Sequence, residues 1–176
     1  MKKIRTVITG MGIISPIGNN IFEFESSLIE GKSGIKQIDE LKDSGFNCTV
    51  GGICDDDFDE IKKIFPELNI PIISRSTLLL VKAAHEALTI ANLIDNNKLK
   101  TEPDFNIIIG STIGAGDTWG SFITKKVDTN NHKLLGSYAF EQVINSSPAA
   151  MLSGIFHTTG RVISNSLACA SSTESI

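Results

Sequence analysis

Cysteine, basic charge and long apolar runs are all scarce in this 176-residue chain. Its three cysteines, Cys48, Cys54 and Cys169, are widely spaced and form no CxxC pair, which argues against a disulfide framework or a zinc site. Lys and Arg number 16 against 20 Asp and Glu, a net charge of −4, so we expect no nucleic-acid binding. No apolar run approaches the roughly 18 residues of a membrane-spanning helix, so none is expected.

What remains is the composition of a globular domain: 41% hydrophobic and 20% charged residues, with 15 glycines and 5 prolines. Unpaired cysteines are typical of a reducing compartment, so we expect a cytoplasmic protein. The apolar stretch at the start is interrupted by Gly10, Gly12 and Pro16, which favours a strand over a signal peptide.

Strand and helix patterns alternate along the chain. Residues 3–9 and 104–110 are predicted strands, the second buried on both faces, and apolar residues recurring every three or four positions predict a helix over 74–93. The order strand, long helix, strand predicts an α/β fold with a mostly parallel sheet and crossover helices. A helix is predicted over 21–30, with Asn20 and Glu23 as its capping pair and Gly31 behind its C-terminus. A second helix is predicted over 149–157, opened by Ser147 and Pro148 and closed by Gly160, and a strand over 161–167 follows it. Most of 32–73 is predicted as loop, as is the segment from the glycines of 110–116 to about Gly136.

Cys169 follows the predicted strand over 161–167 directly, in a run of small residues that allows a tight strand-to-helix turn. A helix dipole and free backbone N–H groups at such a turn favour the thiolate, which is the nucleophilic form. The alternative is a buried thiol that packs as a small hydrophobe. Cys169 is therefore the candidate nucleophile for covalent catalysis.

Two glycine clusters partly match nucleotide-binding motifs. Residues 10–15 carry the start of a dinucleotide fingerprint, but Pro16 and a helix that begins only near Asn20 count against it. Residues 110–116 lack the Gly-Lys-Ser/Thr ending of a P-loop. We interpret the first cluster as a tight turn and the second as close backbone packing, and we expect no cofactor. Three histidines lack metal-ligand spacing, so no metal site is expected: His85, His132 and His157.

Five segments occur together in an order and spacing that resemble the elongating beta-ketoacyl-acyl-carrier-protein synthases. They are VITGMGIISPIG at 7–18, GKSGI at 31–35, the stretch from Arg75 through AAHEAL at 83–88, GSTIG at 110–114 and LACAS at 167–171. The resemblance implies the N-terminal half of a thiolase-like fold, in which two similar α/β halves pack about a pseudo-twofold axis. It also implies that Cys169, matching the cysteine of the family motif T-A-C-x-S-G, accepts the acyl group.

Three positions depart from the family pattern. Leu167 replaces the usual threonine of the motif, Ser172 stands where glycine is common, and Arg161 replaces a proline. Loss of the glycine matters most if that position requires a positive φ.

On this resemblance, residues 1–176 form an incomplete beta-ketoacyl synthase N-terminal domain. The complete enzyme would be an acyltransferase of fatty acid or polyketide synthesis, condensing an acyl thioester with a malonyl-carrier-protein thioester by decarboxylative Claisen condensation. The two histidines and the lysine that the family uses on the malonyl donor would lie beyond residue 176, so we expect residues 1–176 alone to be inactive.

The resemblance also implies partners. An acidic acyl carrier protein would dock near Arg75, with Lys62 and Lys63 adding exposed positive charge, and the complete protein would be a homodimer or a heterodimer. Two other functions stay open. One is a non-catalytic, chain-length-determining partner subunit of a condensing enzyme, although such chains usually lack the cysteine. The other is a nucleotide-binding oxidoreductase domain that binds NAD(P) at residues 10–15.

Overall fold

A computed structural model describes residues 5–55, 57–100, 104–129 and 138–176, without the side chains of 126–129 and 138–140. The chain divides into two compact units. The first comprises Met1–Asp57 and Lys82–Leu93, and the second comprises Phe58–Val81 and Ile94–Ile176.

The elements follow each other as short strands and longer helices. The helices are α1 (Ile21–Ile29), α2 (Asp39–Asp43), α3 (Asp59–Ile64), α4 (Arg75–Ile90), α5 (Gly116–Thr129), α6 (Tyr138–Val143) and α7 (Ser147–Phe156). The strands are β1 (Ile35–Gln37), β2 (Val50–Gly52), β3 (Ile94–Asp95), β4 (Lys98–Leu99), β5 (Ile107–Gly110) and β6 (Val162–Asn165). Single 3₁₀ turns span Pro66–Leu68, Ala168–Ala170 and Thr173–Ser175.

In the first unit, α1 confirms the helix predicted over 21–30. The Asn20 side chain accepts the N–H of Glu23 at 2.9 Å, as an N-cap residue does. The Glu23 carboxylate in turn accepts the N–H of Asn19, also at 2.9 Å. The capping pair is therefore present, but Glu23 bonds to the residue before Asn20 and not to Asn20 itself. Gly31 follows the helix with φ +66°, as predicted for a glycine behind the C-terminus.

A glutamate on α4 organises the loop that carries the first glycine cluster. Glu86 accepts the backbone N–H of Ile13 at 2.9 Å with one carboxylate oxygen and that of Ile21 at 2.7 Å with the other. Gly12 lies so close to α4 that an added Cβ would overlap the Ala83 carbonyl oxygen. Close packing of the loop on the helix therefore requires glycine at this position.

The strand predicted at the start of the chain is wrong for its described part. Residues 5–9 form no strand among the described residues, and Val7 and Ile8 are 66% and 73% exposed. A β-propensity run forms a strand only where a neighbouring strand pairs with it. The stretch predicted as mostly loop over 32–73 contains the antiparallel pair β1–β2 and two short helices, α2 and α3.

The N-terminus of α4 lies in the second unit and agrees with the helix predicted over 74–93. Ser74 is completely buried, and its side-chain oxygen accepts the N–H of Thr77 at 3.2 Å. This bond satisfies one of the backbone donors that a helix start leaves without an intrahelical partner.

The predicted architecture of a parallel sheet with crossover helices is present in the second unit, although its two strands are not the predicted pair 3–9 and 104–110. Strands β5 and β6 pair in parallel from Ile107↔Val162 to Gly110↔Asn165, and α5, α6 and α7 lie between them in sequence. Helix α7 packs against both strands. The prediction that β5 is buried on both faces is wrong, because Ile108 is 44% exposed. Within this strand, only Ile107 and Ile109 are buried. The strand follows the alternation of a half-covered sheet.

The core of the second unit contains a T-shaped aromatic pair, Phe65 with Phe156, whose ring centroids lie 5.6 Å apart. Phe156 ends α7, and His157 behind it takes the left-handed conformation, with φ +49°. Closure by Gly160 was therefore predicted wrongly, and Ser146 rather than Ser147 is the residue before the helix. A left-handed residue at the C-terminus ends a helix irrespective of a later glycine.

Helix α5 corrects the prediction of a polar loop after residue 116. Its apolar side chains Trp119, Phe122 and Ile123 have the three- and four-residue spacing of one helix face. Trp119 and Phe122 form a T-shaped ring pair with centroids 5.9 Å apart. The rest of the predicted loop, residues 130–136, lies outside the described residues.

Candidate active site

Cys169 is exposed, in a tight turn just beyond the end of β6. We call Leu167–Ser171 the cysteine turn; its middle, Ala168–Ala170, is one turn of 3₁₀ helix. Cys169 thus lies behind a strand and in a 3₁₀ turn, where a strand-to-helix turn was predicted, and the alternative of a buried thiol is wrong. A second 3₁₀ turn, Thr173–Ser175, follows the cysteine turn. Serine and threonine, which are weaker helix formers than alanine, are frequent over 171–175 and fit these short turns.

Hydroxyl groups hold the cysteine turn in place. The Ser171 hydroxyl donates to the Ala168 carbonyl oxygen at 2.7 Å and accepts the N–H of Leu167 at 2.8 Å. A second hydroxyl, that of Thr112, donates to the same Ala168 oxygen at 2.9 Å from the loop after β5. Ser171 therefore bonds the end of the turn to its start, and Thr112 bonds the glycine-rich loop over 110–116 to the same Ala168 carbonyl group.

Ala168, the residue before the cysteine, has φ +49°. A non-glycine residue in this left-handed region costs about 1–3 kcal/mol and persists where surrounding contacts determine the conformation. The hydroxyl contacts from Thr112 and Ser171 supply such contacts. The strained position is Ala168, whereas Ser172, where the family commonly has glycine, has an ordinary φ of −67°. The loss of that glycine therefore introduces no backbone strain.

Gly110, the last residue of β5, explains why the second glycine cluster begins there. A Cβ added at Gly110 would overlap the carbonyl oxygen of Ser171. The strand end and the cysteine turn are thus in backbone contact, which only glycine allows at this position. This agrees with the interpretation of the cluster as close backbone packing.

The other two cysteines lie outside the second unit. Cys48 is exposed, with its sulfur 3.8 Å from the Val50 carbonyl oxygen, and Cys54 is half-buried. None of the three cysteines, all of which lie in the described ranges, forms a disulfide. Exposure alone therefore does not distinguish Cys169 from Cys48; the hydroxyl-held turn does.

A separate cleft of about 380 Å³ in the second unit contains one of the predicted carrier-docking residues, Lys62. Lys125 on α5 lines the same cleft, together with Asp117. Lys62 is half-buried rather than exposed as predicted, because it faces this cleft, whereas Lys63 beside it is exposed. Two lysines on opposite elements give the cleft local positive charge in an acidic chain.

Arg75, the third predicted docking residue, is exposed and begins α4. Its guanidinium carbon lies 5.1 Å from the centre of the Phe58 ring, within the range of a cation–π contact. Its backbone N–H donates to the Asp117 carboxylate at 2.8 Å. Arg75 thus contacts Asp117, which lines the same cleft as Lys62, while Cys169 does not line this cleft.

Neither histidines nor acidic residues assemble a metal site in the described ranges. No group of three or more His, Cys, Asp or Glu side chains there could hold a metal ion. His157 is an exposed helix-end residue, and His132 lies outside the described residues. Within the same ranges, no helix has both the length and the apolar character required to span a bilayer.

Sequence reasoning missed three residues of the site: Thr112, Asn145 and Lys125. Thr112 lies within the quoted GSTIG segment, which was the available signal, although nothing in the spacing distinguished its hydroxyl from that of Ser111. Asn145 donates from its side chain to the Thr112 carbonyl oxygen at 3.2 Å and lies between α6 and α7. Lys125 was missed because α5 was predicted as loop.

Comparison with known proteins gives consistent similarities over nearly the whole chain. The family model described as "Beta-ketoacyl synthase, N-terminal domain" matches residues 3–176. A 3-oxoacyl-[acyl-carrier-protein] synthase 1 of Buchnera aphidicola subsp. Baizongia pistaciae is 38% identical over 177 residues, covering 98% of this chain and 42% of the relative. The synthase of the same name from Escherichia coli K12 is 31% identical, and the match covers 98% of this chain and 41% of that relative. The chain thus spans about two fifths of the length of these curated relatives.

Solved structures agree in fold. One described as the ishigamide ketosynthase/chain length factor has a TM-score of 0.76 at 20% identity, over 93% of this chain and 40% of that one. Another is described as a type II PKS acyl-carrier protein in complex with its ketosynthase bound to the hexaketide. Its TM-score is 0.68 at 22% identity, and the match covers 94% of this chain and 38% of that one. These similarities confirm the predicted thiolase-like α/β fold.

Proposed function

The chain belongs to the beta-ketoacyl synthase family, and we propose that the protein is a condensing enzyme in which Cys169 accepts the acyl group. The carrying observation is the cysteine turn: an exposed thiol at the end of a parallel strand, held by hydroxyls and aligned with the family's T-A-C-x-S-G motif. The substrates would be an acyl thioester and a malonyl-carrier-protein thioester, in fatty acid or polyketide synthesis.

In the first half-reaction, the sulfur of Cys169 attacks the carbonyl carbon of the acyl thioester. The bond between that carbon and the carrier sulfur then breaks, which leaves the acyl group on Cys169 and the carrier as a free thiol. The proton lost by the Cys169 thiol balances the one gained by the carrier sulfur. This exchange of one thioester for another is nucleophilic covalent catalysis.

The negative oxygen of the tetrahedral intermediate requires a hydrogen-bond donor. In the cysteine turn, the N–H of Ala170 makes the first turn bond, to the Leu167 carbonyl at 3.0 Å. The N–H of Cys169 precedes this bond, in the region where a helical turn leaves its donors without intrahelical acceptors. We therefore assign the Cys169 N–H as one oxyanion donor.

The second half-reaction forms the carbon–carbon bond. The malonyl donor loses CO₂, and the resulting carbanion attacks the acyl carbon on Cys169, which releases the Cys169 sulfur. We assign no residue of 1–176 as the acid or base of this step. The two histidines and the lysine implied by the family would act there.

Carrier docking is proposed at the cleft lined by Lys62 and Lys125, with Arg75 and Lys63 as neighbouring cations. Opposite charges on two partners steer their encounter, so this basic cleft fits an acidic carrier protein. The related ketosynthase structure with its acyl-carrier protein supports a carrier as the partner. A dimeric assembly and a cytoplasmic location stay predictions, which sedimentation and cell fractionation of the full-length protein would test.

The non-catalytic partner subunit is the second candidate, since one related structure is described as a ketosynthase/chain length factor. In this function the chain would transfer no acyl group to a cysteine. The exposed thiol in the cysteine turn favours the catalytic role. The NAD(P)-binding alternative has less support, because Gly12 packs on α4 and α1 begins only at Ile21, too late for a phosphate-binding turn.

A burst experiment separates these functions. Full-length protein is mixed with an acyl-carrier thioester, without malonyl donor, and free carrier thiol is measured. We expect release of about one thiol per protein chain from the wild type and from Cys48→Ala, and none from Cys169→Ala. Absence of a burst in correctly folded wild-type protein would favour the partner-subunit function.

A further inference from the structure

We propose that Thr112 and Ser171 are positioning residues that aim the backbone N–H of Cys169 at the reacting carbonyl by holding the preceding carbonyl group, that of Ala168. The inference rests on the proposed function of Cys169 and extends it to two residues outside the nucleophile itself. It also gives a role to the GSTIG segment beyond close packing.

The argument begins with the peptide unit between Ala168 and Cys169. In a trans peptide the C=O of one residue and the N–H of the next lie in one plane and point in opposite directions. The chain contains no cis peptide bond among its described residues. Fixing the direction of the Ala168 carbonyl therefore fixes the direction of the Cys169 N–H.

Three donors fix that carbonyl. The hydroxyls of Thr112 and Ser171 donate to the Ala168 oxygen at 2.9 and 2.7 Å, and the Ser171 backbone N–H donates to it at 3.2 Å. They come from two places, the loop after β5 and the end of the cysteine turn itself. The peptide cannot rotate without breaking bonds to both.

The conformation of Ala168 shows why such a clamp is needed. Its φ of +49° is unfavourable for a residue with a Cβ, so the isolated turn would relax toward a negative φ. Such a change would rotate the adjoining peptide and redirect the Cys169 N–H. The hydroxyl bonds oppose that relaxation.

Thr112 is itself held in place. The Asn145 side chain donates to the Thr112 carbonyl oxygen at 3.2 Å, and the N–H of Gly114 donates to the Ser111 hydroxyl at 2.9 Å. The loop that presents the Thr112 hydroxyl is therefore ordered by its own bonds. A hydroxyl on an ordered loop can preorganise an oxyanion donor, as electrostatic stabilisation of a transition state requires.

The experiment compares Thr112→Val, which removes the hydroxyl at nearly constant shape, with Thr112→Ser, which restores it. Thr159→Val, an exposed threonine between α7 and β6, is the matched control. Three quantities are measured on full-length protein: the maximal rate of acyl transfer to Cys169, the KM for the acyl-carrier thioester, and the alkylation rate of Cys169 by iodoacetamide.

Removal of a whole oxyanion donor costs about 100- to 1000-fold in rate, so a misdirected donor is expected to lower the maximal acylation rate of Thr112→Val by about tenfold. KM and the alkylation rate should stay within about twofold, since neither needs the oxyanion donor. Thr112→Ser should recover most of the rate, and Thr159→Val should match the wild type. Ser171→Ala should show the same pattern as Thr112→Val.

Three results would overturn the inference. Acylation at the wild-type rate in Thr112→Val would mean that the hydroxyl does not position the donor, and would leave the proposed function intact. Equal losses of acylation and alkylation would assign Thr112 to holding the thiol rather than the N–H. Failure of the wild type itself to acylate Cys169 would overturn the proposed function and this inference together.

Discussion

The carboxylate of Asp117 accepts a hydrogen bond from the backbone N–H of Arg75, with 2.8 Å between Oδ2 and N. Because the donor belongs to the backbone, a change of the Arg75 side chain leaves this bond in place. The guanidinium can therefore be altered without removing the contact between the start of α4 and α5. A substitution of Arg75 therefore tests the docking proposal with this backbone bond intact, while it removes the contact of the guanidinium with the Phe58 ring.

For Arg75→Glu, affinity for an acidic acyl carrier protein should fall by about tenfold at low salt and by less at high salt, because ions screen exposed charges. Carrier binding is measured by titration at two salt concentrations. Lys98→Glu is the control, since Lys98 is an exposed lysine that lines a different cleft. Unchanged affinity of Arg75→Glu at low salt would contradict docking at this position.

Glu86 should contribute substantially to stability, because its carboxylate accepts the N–H groups of both Ile13 and Ile21. Hydrogen bonds to a charged group are worth about 1.5–3 kcal/mol each, and we expect Glu86→Ala to lower the free energy of unfolding by about 3 kcal/mol. Glu86→Gln, which keeps one acceptor oxygen, should lose less. Urea unfolding gives the values, with exposed Glu25→Ala as control at about 0.5 kcal/mol or less. Equal stability of Glu86→Ala and Glu25→Ala would contradict this role.

Local patterns predicted the elements whose signals are complete within the sequence. Asn20 and Glu23 predicted the start of α1 because a cap is formed by neighbours in the chain. The run over 5–9 misled because pairing depends on a second strand that no local pattern specifies. Helix α5 was missed because Gly116 and Gly120 resemble loop residues, and Gly120 costs about 1 kcal/mol in the helix interior, although the spacing of Trp119 and Phe122 is helical.

In the candidate site, too, local features were predictable from the sequence and long-range contacts were not. Sequence position alone placed Cys169 at the end of β6, since a strand followed by small residues is a local signal. The contact between the Thr112 hydroxyl and the Ala168 carbonyl joins residues 56 positions apart, and no periodicity encodes it. The positive φ of Ala168 was also hidden, because alanine is not a residue that ordinarily signals a left-handed backbone.

Alkylation kinetics should distinguish the two exposed thiols. Cys169 is expected to react with iodoacetamide faster than Cys48, because the Cys169 thiol is exposed in the cysteine turn, whereas the Cys48 thiol can donate to the Val50 carbonyl oxygen 3.8 Å away. Cys54, which is half-buried, should also be slower. Peptide mapping after brief exposure of the native protein gives the three rates. Faster labelling of Cys48 or Cys54 would remove this chemical support for Cys169.

The most direct test of the central claim is the location of the acyl group. Full-length protein is incubated with an acyl-carrier thioester, digested, and sequenced by tandem mass spectrometry. The account predicts one acyl adduct, on the peptide that contains Cys169, and its release by hydroxylamine as expected of a thioester. An adduct on Cys48 or Cys54, or condensation by a protein that carries no acyl group on Cys169, would contradict it.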